Sequence, residues 1–476
     1  MNAKAPFLLI SFLILIISYT LSQKIVSSDF RMLFVILSFL ILFISSFNYK
    51  RGMYAILIYL IIMPFLRRIS AFYGGSMVSD PLLILSDIIF FWILLGYWLF
   101  NESYIMKFVK EDKLTKVYII FILLCLLSVF NPLQGSLIIG LTGAKLFILP
   151  SMWFFLGLSL SINDYRNLLK FIVGMGALTG IYSIYQYVGG FTEFEWKWIH
   201  DAKLQLYLKE EIRPFSVFAG NSDAARFFQI AAGISFMYII SKINIVPNLI
   251  MFSLSFTAML LTVSRSAAMA FIFMLGIFFL WGSKDIRRVT LHSIVLLLFV
   301  LTVYVLIPEK YKNASDISER TFSTHLTAGL LNPIGEGSVQ VRFRTWGEIP
   351  NHLLKAPFGY GIGSITLAAQ RYGGFLFYSE SSYFGIWGAT GIIGGCLFTY
   401  LLYLVFKYLI ELYVKSNNND EFLRIVIGFV AGVTASIIIA ELFNFYAVAP
   451  FFWITVGWVV RAHSELKNAI HNNTEL

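Results

Sequence analysis

From Ile245 to Gly282 the chain runs thirty-eight residues with a single charge, Arg265, in Leu261-Thr262-Val263-Ser264-Arg265-Ser266. A membrane-crossing helix needs about 20 apolar residues. The stretch therefore reads as two helices in a hairpin, with Arg265 at the turn between them. A cation at such a junction is costly unless it meets an anion, a water-filled cavity or lipid headgroups. Position alone leaves two readings open, a snorkelling anchor that holds the hairpin at the interface or a ligand-binding group.

The same apolar pattern recurs along the whole chain in runs of roughly 17–22 residues, the signature of a polytopic helical membrane protein. Hydrophobic residues make up 58% of the 476 positions and charged residues only 13%. The ten-residue alternation of a transmembrane barrel is absent. A net charge of +10 points to membrane orientation rather than to nucleic acid, because the basic residues flank the apolar runs. Cys125 and Cys396 lie inside such runs and read as small buried hydrophobes, not as a disulfide or a metal site. The run from Pro6 to Leu21 reads as a retained first span, since it lacks a clear small-residue cleavage site.

These runs predict an all-α fold of about fourteen transmembrane helices. N-terminal spans fill 1–189, with the third drawn at 53–66. A first polar segment covers 190–222, and further spans with the Arg265 hairpin cover 223–307. A large polar segment covers 308–380, with helix expected around Val341 to Leu354. The last spans, beginning at 382–408, and a tail fill 381–476. Basic clusters at Lys50-Arg51, Lys107 to Lys116, Lys242, Arg287-Arg288 and Lys407 with Lys415 fall on one side, which the positive-inside rule makes cytoplasmic. Arg67-Arg68 breaks that alternation. Both polar segments then lie outside the cytoplasm, on the Arg265 side.

That outer side gathers cations which insertion does not explain. Arg213 stands in Arg213-Pro214-Phe215-Ser216-Val217-Phe218, and Arg342 and Arg344 in Val341-Arg342-Phe343-Arg344-Thr345-Trp346. Converging guanidinium groups suit phosphate or pyrophosphate, whose oxygens they match bidentately while staying charged. The plainer alternative pairs Arg213, Arg342 and Arg344 with loop carboxylates such as Glu211 and Glu348. Candidate bases are Glu380, His325, His352 and His200. Glu380 opens a span in Ser379-Glu380-Ser381-Ser382-Tyr383-Phe384, where the helix dipole favours its charged form and simple capping is the competing role. No phosphate-binding Gly-Lys-Ser/Thr loop and no His-Glu-x-x-His occurs, so neither ATP hydrolysis nor zinc chemistry is indicated. Asp87 and Glu441 stand nearly alone as acids within apolar runs, few for an ion-coupled transporter.

Taken in order, four segments resemble the bacterial O-antigen polymerase and O-antigen ligase family. They are Arg213-Pro214-Phe215-Ser216-Val217-Phe218 with Gly220-Asn221-Ser222, then Thr262-Val263-Ser264-Arg265-Ser266-Ala267, then Arg344-Thr345-Trp346 with Ala356-Pro357-Phe358-Gly359-Tyr360-Gly361-Ile362-Gly363, and last Glu380-Ser381-Ser382-Tyr383-Phe384 with Gly388-Ala389-Thr390-Gly391-Ile392-Ile393-Gly394. The resemblance implies a polyprenyl-dependent membrane glycosyltransferase bundle in the bacterial inner membrane. The donor would be a glycan on a polyprenyl pyrophosphate, the acceptor a glycan hydroxyl outside the cytoplasm, with no nucleotide, metal or other cofactor. It implies that Arg213 and Arg265 hold the pyrophosphate, that Arg344 assists as a further phosphate or loop-organising residue, and that Glu380 is the base. Ligases of the family typically carry a histidine where this chain has Glu380-Ser381, which favours a repeat-unit polymerase over a ligase acting on the lipid A core. A polymerase would accommodate a chain-length regulator as a protein partner. A lipid-linked oligosaccharide flippase is the rival from another class.

Overall fold

The structure, a computed structural model, describes residues 30–73, 81–202, 207–208, 211–282, 337–377, 379–416, 420–443 and 446–474. Spans expected at 6–22 and 289–307, and His325, lie outside these residues. The described chain is almost wholly helical, and six of its helices are long and apolar enough to cross a membrane. It forms two compact units.

The first unit holds α1 (Phe30–Ser46), α2 (Tyr49–Phe72), the part of α3 (Leu82–Glu111) up to Phe100, and α7 (Glu193–Asp201). Helix α2 is one continuous element, capped by the Asn48 side chain, so the third span is longer than 53–66. Its last turns explain the Arg67-Arg68 anomaly. Arg68 is fully buried against the fully buried Glu195 of α7 at 3.4 Å, and Arg67 lies over the Trp198 ring. Glu195 is satisfied on its other oxygen by the backbone N–H and hydroxyl of Thr192, both at 2.9 Å. These cations bind α7 in place rather than report orientation, as a buried carboxylate requires a paired, hydrogen-bonded partner.

The second unit carries the remaining elements. Helix α4 (Lys113–Ser128) is followed by α5 (Leu137–Gly157), which contains a π-turn at Ala144–Ile148, and by α6 (Ile162–Gly189). A two-residue ribbon, β1 (Tyr207–Leu208) with β2 (Glu211–Ile212), pairs antiparallel and leads into Arg213. Then come α8 (Asn221–Ile240), α9 (Ile245–Leu261), α10 (Arg265–Gly282), α11 (Gly337–Lys355), α12 (Ser382–Lys415), α13 (Glu421–Ile439) and α14 (Ala449–Thr474). The two helices expected on either side of Arg265 are present as α9, which packs mainly on α8 and α6, and α10, which packs mainly on α13 and α8. Helix α11 falls where the sequence placed one in the large polar segment.

Packing inside this unit follows the rules of lipid, where small residues and internal hydrogen bonds replace a water-driven core. Gly233 of α8 and Gly432 of α13 both face Met274 of α10, leaving room only for hydrogen where a Cβ would stand. Gln229 of α8 accepts from the Ser436 hydroxyl of α13 at 3.1 Å. Tyr165 of α6 stacks on Trp458 of α14 at 4.2 Å and shares a 2.8 Å hydrogen bond with Thr455.

Helix α12 corrects the continuous span drawn at 382–408. It breaks at Gly391, whose φ of 71° and ψ of −165° are not helical. The Pro-x-Gly-x-Gly turn after α11 fills that break. Tyr360 and Gly361 donate their N–H groups to the carbonyls of Gly388 and Ala389 at 2.8 and 2.9 Å, and Ile392 donates to Pro357 at 3.0 Å. Backbone groups freed by the break are thus satisfied within the protein, the condition for irregular chain at such a place. Gly359 and Gly391 sit back to back at positive φ, where a Cβ on either would strike the other's segment.

Candidate active site

The turn between α9 and α10 is built from unfavourable backbone. Thr262 ends α9, its hydroxyl donating to the Met259 carbonyl at 2.6 Å. Val263 then takes a φ of 53°, the left-handed region that costs a β-branched residue on the order of 1–2 kcal/mol. The Ser264 carbonyl accepts from Ala267 and Ala268, both at 3.1 Å, so α10 begins at Arg265. The guanidinium therefore stands at the positive end of a helix, where first-turn N–H groups and the dipole add to its attraction for anions.

Arg213 is brought to the same place by a clamp on α6. The side-chain oxygen of Gln186 accepts the backbone N–H groups of Phe215 and Ser216 at 3.1 and 2.6 Å, and its amide nitrogen donates to the Ser216 carbonyl. Ser216 has a φ of 53° and its buried hydroxyl donates to the Thr179 carbonyl at 2.6 Å. Burial, and then the neighbouring Arg265 charge, pull the Arg213 pKa below its ordinary value. The structure thus juxtaposes Arg213 and Arg265, two residues far apart in sequence.

Glu380 lies two residues before α12, next to the capping residue Ser381. Its φ is 49°, and the capping role belongs to Ser381, whose hydroxyl accepts the Phe384 N–H at 3.3 Å. The surrounding serines are tied down. Ser382 Oγ accepts from Leu442 and Phe443 at 2.7 and 3.2 Å, and the Ser379 carbonyl accepts the Trp346 indole N–H at 2.9 Å. Helix α11 lies over this corner through Trp346, Ile349 and Leu353, packed with Phe377, Phe384 and Trp387. That face also carries Arg342, one turn before Trp346, and Arg342 Nε donates to Glu380 Oε2 at 2.9 Å. Both side chains are about a quarter exposed, at 24% and 25%.

Arg344 goes elsewhere. Its side chain is 83% exposed and pairs with Glu348 on its own helix at 3.4 Å. The structure therefore does not bring Arg344 to Glu380; Arg342 takes that place, and Arg344 makes the loop pairing with Glu348. Of the remaining candidate bases, His352 is wedged among Tyr360, Phe375 and Phe377, and His200 bonds the Trp196 carbonyl of its own helix in the first unit.

One residue of the cluster escaped the sequence reading. Arg226, on α8, is 2% exposed. Its Nη2 donates to the hydroxyl of Ser266, next to Arg265, and the Arg342 charge acts on it. The signal was available, since an arginine within an apolar run is the same anomaly that singles out Arg265. Its place near the start of the run makes it look like a flanking charge.

On this mainly helical, polytopic membrane protein, Arg342 holds Glu380, Arg226 holds Ser266 beside Arg265, and Arg213 neighbours Arg265, a concentration of guanidinium charge that suits an anionic ligand. Residues 250–399 match the O-antigen ligase family model, from α9 into α12, and so include Arg265, Arg342 and Glu380 but neither Arg213 nor Arg226. Over that segment the chain is similar to the O-antigen ligase family. No curated protein matches it.

Proposed function

We propose that this protein is a polysaccharide polymerase that transfers a growing glycan from polyprenyl pyrophosphate to a sugar hydroxyl of an incoming lipid-linked repeat. The observation that carries the reading is the Arg342–Glu380 pair, connected through Arg226 to Ser266 beside Arg265, which in turn neighbours Arg213. Arg213, Arg265 and Arg342 bind the donor's pyrophosphate. Arg342 spends Nε on Glu380, and its two Nη groups carry four further N–H donors for phosphate oxygens.

Glu380 accepts the acceptor's hydroxyl proton as that oxygen attacks the anomeric carbon. The bond from that carbon to the pyrophosphate oxygen breaks, and the electron pair leaves on polyprenyl pyrophosphate. Fixed guanidinium charges stabilise the leaving group as its charge develops, which supplies the electrostatic role often given to a metal.

The finer architecture belongs to the same proposal: about fourteen spans in the bacterial inner membrane, a large outer segment, and a lateral groove for the polyprenyl chain. A chain-length regulator fits such an enzyme as a partner. The ligase reading is favoured by the matched family's description, and the polymerase reading by the carboxylate at position 380. Purified protein in liposomes, given lipid-linked repeats alone, is expected to lengthen them into a ladder. Unchanged repeats that are consumed only when a lipid A core is added would establish the ligase instead. Movement of the repeats across the bilayer with no chemical change would establish the flippase.

A further inference from the structure

Arg226 presents a problem that the reaction described above does not use. Its side chain is buried, yet Nε and Nη1 have no hydrogen-bond partner among the described residues. Nη2 is held by Ser266 Oγ, and no carboxylate pairs with the guanidinium among the described residues. Removing a cation from water is costly unless an anion compensates, and each buried N–H left without an acceptor adds to that cost. The neighbours worsen the position, because Arg342 contributes a like charge and Arg265 follows directly after Ser264 and before Ser266 on the strained turn.

An anion in this place would offset that cost. The ligand must bring several negative charges and several acceptor oxygens, because four guanidinium groups outweigh the Glu380 carboxylate. A hydroxyl partner is also telling: Ser266 fixes the orientation of Arg226 without neutralising it, as a carboxylate would. The positive charge is thus kept for a ligand while the side chain is held still, the arrangement expected of a preorganised electrostatic site.

We propose that Arg226 is a further pyrophosphate-binding residue of this protein, offering its uncommitted N–H groups to the phosphate oxygens of the lipid-linked donor beside Arg265 and Arg342. This rests on the pyrophosphate-donor reading given above. The ligand chemistry is a polyprenyl diphosphate, and a phospholipid headgroup is the competing source of the same phosphate.

Binding of polyprenyl pyrophosphate bearing no sugar tests this on the full chain in nanodiscs of phosphatidylcholine alone and with added phosphatidylglycerol. Arg226→Gln is expected to weaken binding by about tenfold or more, as loss of a charge-assisted contact does. Arg226→Lys, which keeps the charge but loses most of the donors, is expected to fall between. Unaltered affinity in Arg226→Gln, with affinity lost in Arg265→Gln, overturns the role of Arg226 and leaves the donor reading standing. Absence of binding by the unsubstituted protein overturns both. Should Arg226→Gln not fold, Arg226→Lys decides, and unchanged affinity there also overturns the proposal. If phosphatidylglycerol displaces the pyrophosphate lipid at equal concentration, the site holds a headgroup and the assignment to the donor fails.

Discussion

Arg342 and Arg344 are two residues apart, and the helix separates their fates. On α11, positions i and i+4 share a face, so Arg342 goes with Trp346 toward Glu380 and Arg344 goes with Glu348 toward solvent. Arg342→Ala is expected to lower repeat-unit lengthening by about 100-fold or more, the scale for removing one donor to a developing oxyanion. Arg344→Ala should stay within about twofold, since an exposed ion pair contributes little. Lengthening assayed at matched protein abundance separates the two, and equal losses would mean that Arg342 has no special role at Glu380. Glu380→Gln keeps an oxygen for Arg342 Nε but cannot take a proton. Its rate is expected to fall by about 10²–10⁴, the contribution of a general base, with a melting temperature close to that of the unsubstituted protein. An unchanged rate would exclude Glu380 as the base. Arg265 was legible in the sequence because a lone charge inside a long apolar stretch is rare and costly, and Glu380 because it stands in a Ser/Glu cluster that opens a span. The choice between Arg342 and Arg344 was legible only through the spacing Trp346, Ile349, Leu353, whose apolar face also contains position 342. A motif beginning at Arg344 hides that periodicity.

At the scale of elements, the docking of one loop into one broken helix holds the Glu380 corner in place. The turn after α11 delivers its N–H groups to α12 on either side of Gly391, and α11 in turn carries Arg342. Gly391→Ala places a Cβ against the Pro357 carbonyl and the Phe358–Gly359 backbone at a φ of 71°. Strain at such a backbone costs of order 1–3 kcal/mol before the collision is counted. The expected result is a lower melting temperature, faster proteolysis between Pro357 and Gly363, and loss of lengthening. Gly174→Ala in the middle of α6 is the control, because a Cβ there meets nothing within 4 Å. It should be neutral or stabilising by about 0.5–1 kcal/mol. A Gly391→Ala protein as stable as the control would show that the break is not required. Apolar runs gave the helices of this region but could not show the break, because composition reports burial and not φ. The glycines at 388, 391 and 394 were visible in the motif, yet a glycine inside an apolar run is equally at home at a helix–helix contact. Arg67-Arg68 misled for a related reason: the positive-inside rule counts charges and does not see that one of them is buried on Glu195.

For the molecule as a whole, the decisive question is on which side of the membrane the arginine cluster lies. Glu380 stands just before α12, and Lys407 and Lys415 stand near its far end. The uninterrupted part after Gly391 rises about 1.5 Å per residue and is long enough to cross a hydrocarbon core of about 30 Å. If α12 crosses, its two ends face opposite compartments. The basic end, which also receives Arg424 at the start of α13, is the one the positive-inside rule assigns to the cytoplasm. Single cysteines can test that directly. Cys396 is exposed and Cys125 buried, so Cys396→Ala removes the accessible native thiol. In that background, Arg344→Cys should react with a membrane-impermeant maleimide in spheroplasts. Ser416→Cys should react only after the membrane is permeabilised. The opposite pattern would put the cluster in the cytoplasm, where a polymerase of externally displayed repeats has no substrate, and labelling of both from one side would mean that α12 does not cross. Arg344 suits this experiment because its side chain is exposed and outside the cluster, so the reporter can be read while lengthening is still measured in the same protein.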